Sequence, residues 1–303
     1  MKRWWGAWLS LFAGAGWARA ELPPCALEPG PTRAVVAVLD GETLKLDDGA
    51  ELRLIGALSP RAPDTGGTDS SFWEPETAAK SALEKLVLGR SIELAYLGRR
   101  TDRYGRLLAH AFIIVLPDSR ELEAEPERIW VQAHLLGLGH ARAYTLPTNT
   151  GCAAQMLAHE AVARAANAGL WGHAAYQVRD ANKPRDLARW RSTFQIVEGT
   201  VVRVVETRGA TLLTFGNDGT GDFVVVLKSS ERRDMKGALA AVNELAGKRV
   251  RVRGWIERRS GPAIEIHHPA QIEIVGDGPL SAAALADTQT APRRSRRPNR
   301  PAN

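Results

Sequence analysis

The sequence predicts an α+β protein of mostly β structure, in which two small β-rich units follow one another along the chain. Short runs of alternating apolar and polar residues, typical of half-buried strands, recur in both halves. Helical spacing of apolar residues is concentrated in three stretches of the first half. A chain of 303 residues favours two domains, and a hydrophobic fraction of 44% is sufficient for ordinary cores.

The first unit, residues 34–175, is organised around an expected β-hairpin. Its arms are residues 38–46 and 51–56, because apolar and polar residues alternate on both, and Asp47-Asp48-Gly49 supplies the turn. Polar residues on one side of this ribbon can converge on a site. Further strands are expected at 91–97 and 107–115, and helices at 74–88, 130–138 and 152–168. These elements indicate a small barrel with three helices.

The second unit, residues 193–276, is predicted to be another small barrel. Strands are expected at 194–206, 211–215, 223–227, 249–256 and 264–267, with a helix at 237–245 between the third and fourth strands. Strand-strand-strand-helix-strand-strand is the order of an OB-fold. A charged linker, residues 176–192, is expected to join the two units, and residues 21–33 are expected to be extended.

Both termini are predicted to lie outside the folded units. Residues 1–20 have the pattern of a signal peptide: Lys2 and Arg3, an apolar stretch to Trp17, and the cleavage signal Ala18-Arg19-Ala20. The apolar stretch is too short for a comfortable membrane span, so we expect an exported protein, periplasmic or secreted, with no stable membrane span after cleavage. The alternative is an uncleaved anchor. Residues 277–303 are expected to be a disordered basic tail.

The two cysteines, Cys25 and Cys152, are candidates for a disulfide. An oxidising compartment favours pairing, whereas two unpaired thiols are the alternative, and spacing does not decide between them. A bond would close a long loop and would stabilise the fold by about 3–5 kcal/mol in the chain-entropy description.

The charge balance favours a polyanionic partner. Lys and Arg outnumber Asp and Glu by 40 to 34, which gives a net charge of +6 and a pI near 9.6. Part of the excess lies in the basic stretch that includes Thr101-Asp102-Arg103-Tyr104-Gly105-Arg106.

This basic stretch, the hairpin motif Asp40-Gly41-Glu42-Thr43 and Arg53 on the next strand together resemble the thermonuclease (staphylococcal-nuclease-like) family over about residues 34–173. The resemblance implies an OB-type barrel with three helices that acts on nucleic acid by phosphodiester hydrolysis. The segments 215–218 and 251–255 look like those of a C-terminal OB-type module in some bacterial thermonuclease-like proteins.

The resemblance assigns a catalytic phosphate clamp to Arg53 and Arg106, whose planar guanidinium groups can each donate two hydrogen bonds to one phosphate. It places the family's calcium ligands on Glu42, on Leu58 and on the backbone carbonyl of Ser59, and the general base on Arg61. Leu58 cannot coordinate a metal and Arg61 would repel one, so both positions argue against calcium as cofactor. The alternative is that a carboxylate of the loop behind Arg61, such as Asp64 or Asp69, replaces the general base.

Further residues are candidates for contacts with nucleic acid. They are Arg61, Arg99, Arg100 and Arg103 in the first unit and Arg251, Arg253 and Trp255 in the second. Cations beside an exposed aromatic ring suit a single strand, because the ring stacks on bases and the cations contact phosphates. The alternatives are a solvated turn for residues 99–103, and an outer barrel face with Trp255 packed against the neighbouring domain.

Two functions therefore remain open at this point. One is an exported nuclease with a degenerate calcium and general-base site, and the other is a non-catalytic protein that binds nucleic acid or another polyanion on the same fold. The sequence does not distinguish DNA from RNA and does not give the oligomeric state.

Overall fold

The structure is a computed structural model that describes residues 25–62, 73–115, 126–146, 148–217, 221–231, 242–275 and 278–279. The predicted signal peptide lies outside these residues, as do almost all of the basic tail, most of the helix predicted at 237–245, and Asp64 and Asp69 of the loop that follows Arg61.

The first unit contains a closed five-stranded barrel. Its strands pair in the order β1-β2-β3-β6-β5, and β5 pairs back with β1. A sixth strand, β7, pairs with β6. The strands are β1 (Glu28–Val38), β2 (Thr43–Leu46), β3 (Glu51–Leu54), β5 (Ser91–Tyr96), β6 (Leu107–Val115) and β7 (Glu127–Trp130). A short pair, β4 (Ala57–Leu58) and β8 (Arg142–Ala143), lies beside the barrel.

The expected hairpin is a three-stranded meander in the structure. Residues 38–46 do not form one continuous arm, because β1 ends at Val38 and a tight turn at residues 39–42 leads into β2. The β2–β3 hairpin has the predicted turn and aligns Thr43 with Arg53. Alternation then directs Leu44, Leu46, Leu52 and Leu54 into the core and Arg53 away from it.

The three predicted helices of the first unit are present as α1 (Glu74–Val87), α2 (Val131–Gly137) and α3 (Ala153–Ala165). Pro75 stands in the first turn of α1, where a missing N–H costs little, and Gly89 follows its end with φ +72°. Cys152, directly before α3, forms a disulfide with Cys25, and the two Cα atoms are 5.0 Å apart. The disulfide fastens the start of the described chain to α3.

The second unit contains a sheet of order β11-β12-β13-β15-β14-β10-β9. Its strands are β9 (Arg179–Asp180), β10 (Phe194–Thr200), β11 (Arg203–Glu206), β12 (Ala210–Thr214), β13 (Val224–Lys228), β14 (Arg249–Arg258), β15 (Pro262–Glu265), β16 (Ile272–Ile274) and β17 (Gly278–Pro279), with β16 on β14 and β17 on β16. Within the described residues the hydrogen bonding does not close this sheet into a barrel. β10 and β11, however, are the two halves of the strand predicted at 194–206.

The segment predicted as a linker is folded. β9 pairs in parallel with β10, and the short helix α4 (Pro184–Ala188) inserts Leu187 into the second core. Tyr176 and Trp171 are buried together with Ile196 of β10. Residues 176–192 therefore belong to the packed structure, which composition did not reveal because their apolar residues are few and widely spaced.

Candidate functional site

The turn between β1 and β2 places two carboxylates against the segment after β4. Asp40 accepts a hydrogen bond from the backbone N–H of Glu42 at 2.8 Å, which holds the turn. A Cβ on Gly41 would lie 2.1 Å from the Oγ of Ser59, so only glycine fits this approach without displacement. The close contact carries the side chain of Glu42 to the backbone of Ser59.

Glu42 is the centre of the site, and only 2% of it is exposed. One carboxylate oxygen accepts a hydrogen bond from the Ser59 N–H at 2.9 Å. The other lies 3.3 Å from a guanidinium nitrogen of Arg53 and 3.2 Å from one of Arg61. Arg61 also pairs with Asp40 at 3.2 Å. Both carboxylates are therefore neutralised by arginines of the same chain.

Parallel pairing of β3 and β6 brings Arg53 and Arg106, the two arginines predicted as a clamp, to one face of the barrel. Leu52 pairs with Leu107, so Arg53 and Arg106, which flank that pair, are diagonal neighbours on the outer face. The strand pairing thus places these two arginines on one face, and their role as a phosphate clamp stays a prediction from the resemblance.

Asp102 fixes the orientation of Arg106. One Asp102 oxygen accepts a hydrogen bond from Arg106 Nε at 2.8 Å, and the other accepts from the backbone N–H groups of Tyr104 and Arg106. Burial would raise the pKa of Asp102, but these hydrogen bonds outweigh it and hold the pKa below its usual range. Among the described residues, the two Nη groups of Arg106 have no hydrogen-bond partner and can donate to a phosphate.

The remaining basic residues of this turn surround an exposed ring. Tyr104 is 69% exposed, and the guanidinium groups of Arg103 and Arg106 lie 4.8 and 5.5 Å from its centre. Arg99 is exposed, whereas Arg100 pairs with Glu28 at 2.7 Å. The sequence analysis did not select Tyr104 as a site residue, although its place between two arginines of the motif was a usable signal.

The residues at the expected calcium site do not fit that ion. Both oxygens of Glu42 are engaged, Leu58 offers no side-chain oxygen, and the Arg61 guanidinium already pairs with Asp40 and Glu42. Calcium requires six to eight oxygen ligands. The described part of the chain contains no group of three or more His, Cys, Asp or Glu side chains placed to hold a metal. We therefore derive no step through calcium.

The second-unit candidates differ sharply from the expectation. Arg253 is 1% exposed and lies between Glu160 of α3, at 2.9 Å, and Glu273 of β16. Arg251 pairs with Glu198 at 2.7 Å and with Glu273 at 3.5 Å. The proposed nucleic-acid contact by Arg253 is thus corrected, because packing of β14 against the first unit turns this face inward.

Trp255 lies at the end of the same strand face and is 45% exposed. Its ring meets Phe194 edge-on, with centroids 6.1 Å apart, and Phe194 in turn meets Tyr144 of the first unit. Arg142 is buried between the rings of Tyr176 and Phe194 and donates to the Phe194 carbonyl, and burial lowers the pKa of Arg142 to about 10. These contacts join the two units.

Comparison with known proteins supports the interpretation of the first unit. A family model described as Staphylococcal nuclease homologue matches residues 51–173, which include Arg53 and Arg106. Together with the closed five-stranded barrel, this match supports the predicted thermonuclease-like domain. The match covers less than half of the chain and does not reach the second unit. A comparison with curated proteins finds no match.

Among the described residues, no helix combines the length and the apolar character that a membrane crossing requires.

Proposed function

We propose that this protein binds nucleic acid through the arginine clamp of its thermonuclease-like domain and does so without calcium. The observation that carries the proposal is the state of Arg106: Asp102 holds it through Nε, and within the described part of the chain neither Nη group has a hydrogen-bond partner, so both can donate to a phosphate. The cation among the site carboxylates is the guanidinium of Arg61. Such a site has the means to hold a phosphodiester but lacks the family's metal ligands and general base.

The proposal includes the rest of the expected architecture. The protein is exported to the periplasm or beyond after removal of residues 1–20, a compartment that suits the Cys25–Cys152 disulfide. The second unit is an OB-like module in which β10 and β11 act as one bent strand, so β11 at one end of its sheet is continuous in the chain with β10 near the other end. Arg99, Arg103 and Tyr104 extend the contact surface beside the clamp.

Measurement of nucleic-acid binding tests the proposal. Fluorescence anisotropy with labelled 20-nucleotide DNA and RNA strands would compare the full chain with Arg53→Ala/Arg106→Ala, in calcium and in chelator. We expect the double variant to lose at least about tenfold in affinity, since hydrogen bonds to charged groups contribute about 1.5–3 kcal/mol each. Arg90→Ala/Arg203→Ala, which removes two exposed arginines elsewhere, is the matched control. Absence of binding by the wild type would contradict the proposal.

A second function, metal-independent phosphodiester hydrolysis, is favoured by one observation. The Arg61 side chain that covers Asp40 is 59% exposed, and exposed ion pairs contribute only about 0–1 kcal/mol. Displacement of Arg61 would free Asp40 to act as a general base near the clamp. Cleavage that persists in chelator and disappears in Asp40→Asn would establish this function, and an uncut strand would exclude it under the assay conditions.

A further inference from the structure

A pocket in the second unit lies between α4 and the ends of β14 and β15. Its volume is about 240 Å³, and its apolar wall comes from Pro184, Ala188 and Pro262. Three arginines also line it: Arg185, Arg191 and Arg258. We call this site the α4 pocket. It was not among the sites that the sequence suggested, because Arg258 is distant in the chain from Arg185 and Arg191.

The backbone holds Arg191 firmly beside β14. Ser192 has φ +61°, a left-handed conformation that non-glycine residues seldom adopt. Its N–H donates to the Ile256 carbonyl at 2.9 Å, and the Ile256 N–H donates to the Thr193 carbonyl at 3.0 Å. Leu187, fully buried in the second core, fixes α4 on the other side of the pocket. Two sides of the pocket, α4 and β14, are therefore anchored to the core of the second unit.

The pocket arginines have no ion-pair partner among the described residues, unlike several other arginines of this unit. Arg249, Arg251, Arg253 and Arg259 all pair with glutamates of the unit or of the first unit. Among the described residues, Arg185, Arg191 and Arg258 are exposed and form no ion pair or side-chain hydrogen bond. Glu257 is the acidic residue of the lining, so the rim has a net positive charge of two.

We propose that the α4 pocket binds a backbone phosphate of single-stranded nucleic acid, as a second contact on a strand held at the Arg53–Arg106 clamp. This inference rests on the proposed function. Unpaired guanidinium groups around a partly apolar cleft suit a phosphate with its sugar, since the cations contact the phosphate and the wall contacts the sugar. A volume of 240 Å³ is below the usual range for drug-sized ligands and suits a group of this size.

The test removes the three charges together in the full chain. The variant Arg185→Gln/Arg191→Gln/Arg258→Gln is compared with Arg90→Gln/Arg203→Gln/Arg208→Gln, three exposed arginines outside the pocket and the clamp. Anisotropy with a labelled 20-nucleotide thymidine strand is measured from 50 to 300 mM salt. For single strands each phosphate contact contributes about 0.7 to the slope of log affinity against log salt. Because the pocket is proposed to hold one phosphate, we expect the pocket variant to reduce this slope by about 0.7 and to weaken binding about tenfold at low salt.

A third variant, Arg185→Lys/Arg191→Lys/Arg258→Lys, keeps the charges and is expected to retain most of the salt slope. A pocket variant that binds like its control, while Arg53→Ala/Arg106→Ala still loses at least about tenfold in affinity, would overturn the inference and leave the proposed function intact. A wild type that does not bind the strand would overturn both. Circular dichroism of each variant confirms that the exposed substitutions leave the fold unchanged.

Discussion

Replacement of Arg253 by methionine tests the docking of the two units most directly. The side chain crosses from β14 of the second unit to Glu160 of α3 in the first, and it also pairs with Glu273. Methionine fills much of the same volume but removes the charge. Glu160 and Glu273, both buried, would then lose their shared cation.

The expected loss of unfolding free energy depends on the contacts that Glu160 and Glu273 each keep. Removing one partner of a buried ion pair costs about 3–5 kcal/mol, because the other charge stays buried. Here Glu160 retains Arg164 at 2.6 Å and the Ala143 N–H at 2.6 Å, and Glu273 retains Arg251 at 3.5 Å. These residual contacts favour the lower end, about 3 kcal/mol. With about 2–4 °C per kcal/mol for domains of this size, the Tm should fall by about 6–12 °C.

The assay is thermal unfolding followed by circular dichroism, with Arg249→Met as the matched control. Arg249 lies on the same face of β14, but its side chain is 64% exposed and pairs with Glu198 at 3.1 Å. An exposed pair contributes at most about 1 kcal/mol, so this control should lose less than about 4 °C. Equal losses in the two variants would refute the reasoning, because they would show that Arg253 is not a buried, paired charge.

The ion pairs of Arg253 with Glu160 and Glu273 also predict that the stability of the protein depends on pH. Burial would raise the pKa of Glu273, but Arg253 and Arg251 outweigh it and lower the pKa below the ordinary 4.5. Stability from this group is therefore complete above about pH 4.5 and is lost as pH falls through the lowered folded-state pKa. Arg253→Met should weaken this acid dependence, as urea unfolding at a series of pH values would show. An unchanged dependence would contradict the assignment.

Three further predictions concern other parts of the fold. Burial lowers the pKa of His110 to about 3. Below about pH 6.5 His110 is therefore protonated in the unfolded chain but stays neutral in the folded chain. Unfolding free energy should drop by about 2 kcal/mol from pH 6.5 to 5, and urea titration of His110→Asn should show a smaller drop. Reduction of the Cys25–Cys152 disulfide, which spans 127 residues, should cost about 5 kcal/mol in the chain-entropy description, measured by urea unfolding with and without reductant. Gly41→Ala should cost about 1–3 kcal/mol by clashing with Ser59, and urea unfolding should show a smaller loss in a Ser59→Ala background.

Much of the first unit could be predicted from local patterns. Alternating residues gave β2, β3, β5 and β6, and helical spacing gave α1, α2 and α3, because these elements bury one face and expose the other. The break at residues 39–42 was missed, since a tight turn inside an alternating run leaves little trace in periodicity. Arg53 and Arg106 were selected only through the motif, and their common face follows from the long-range β3–β6 pairing.

The second unit shows what a local pattern cannot supply. Arg249, Arg251, Arg253 and Trp255 do share one face of β14, as alternation predicts. Alternation does not predict what this face of β14 packs against. In the structure Arg253, in the middle of the face, contacts Glu160 of α3 in the first unit. Glu160, which neutralises Arg253, is 93 residues away in the chain, so the buried charge could not be inferred from sequence.

The measurement that most directly tests the central claim is cleavage of a single strand by the wild type and by Leu58→Asp/Arg61→Glu, each with calcium and with chelator. We predict that the wild type gives no calcium-dependent cleavage, because Arg61 supplies the cation at Asp40 and Glu42. The double variant restores two carboxylates to the site and is expected to bind calcium in a calorimetric titration. Calcium-dependent cleavage by the wild type, abolished by chelator, would contradict the account.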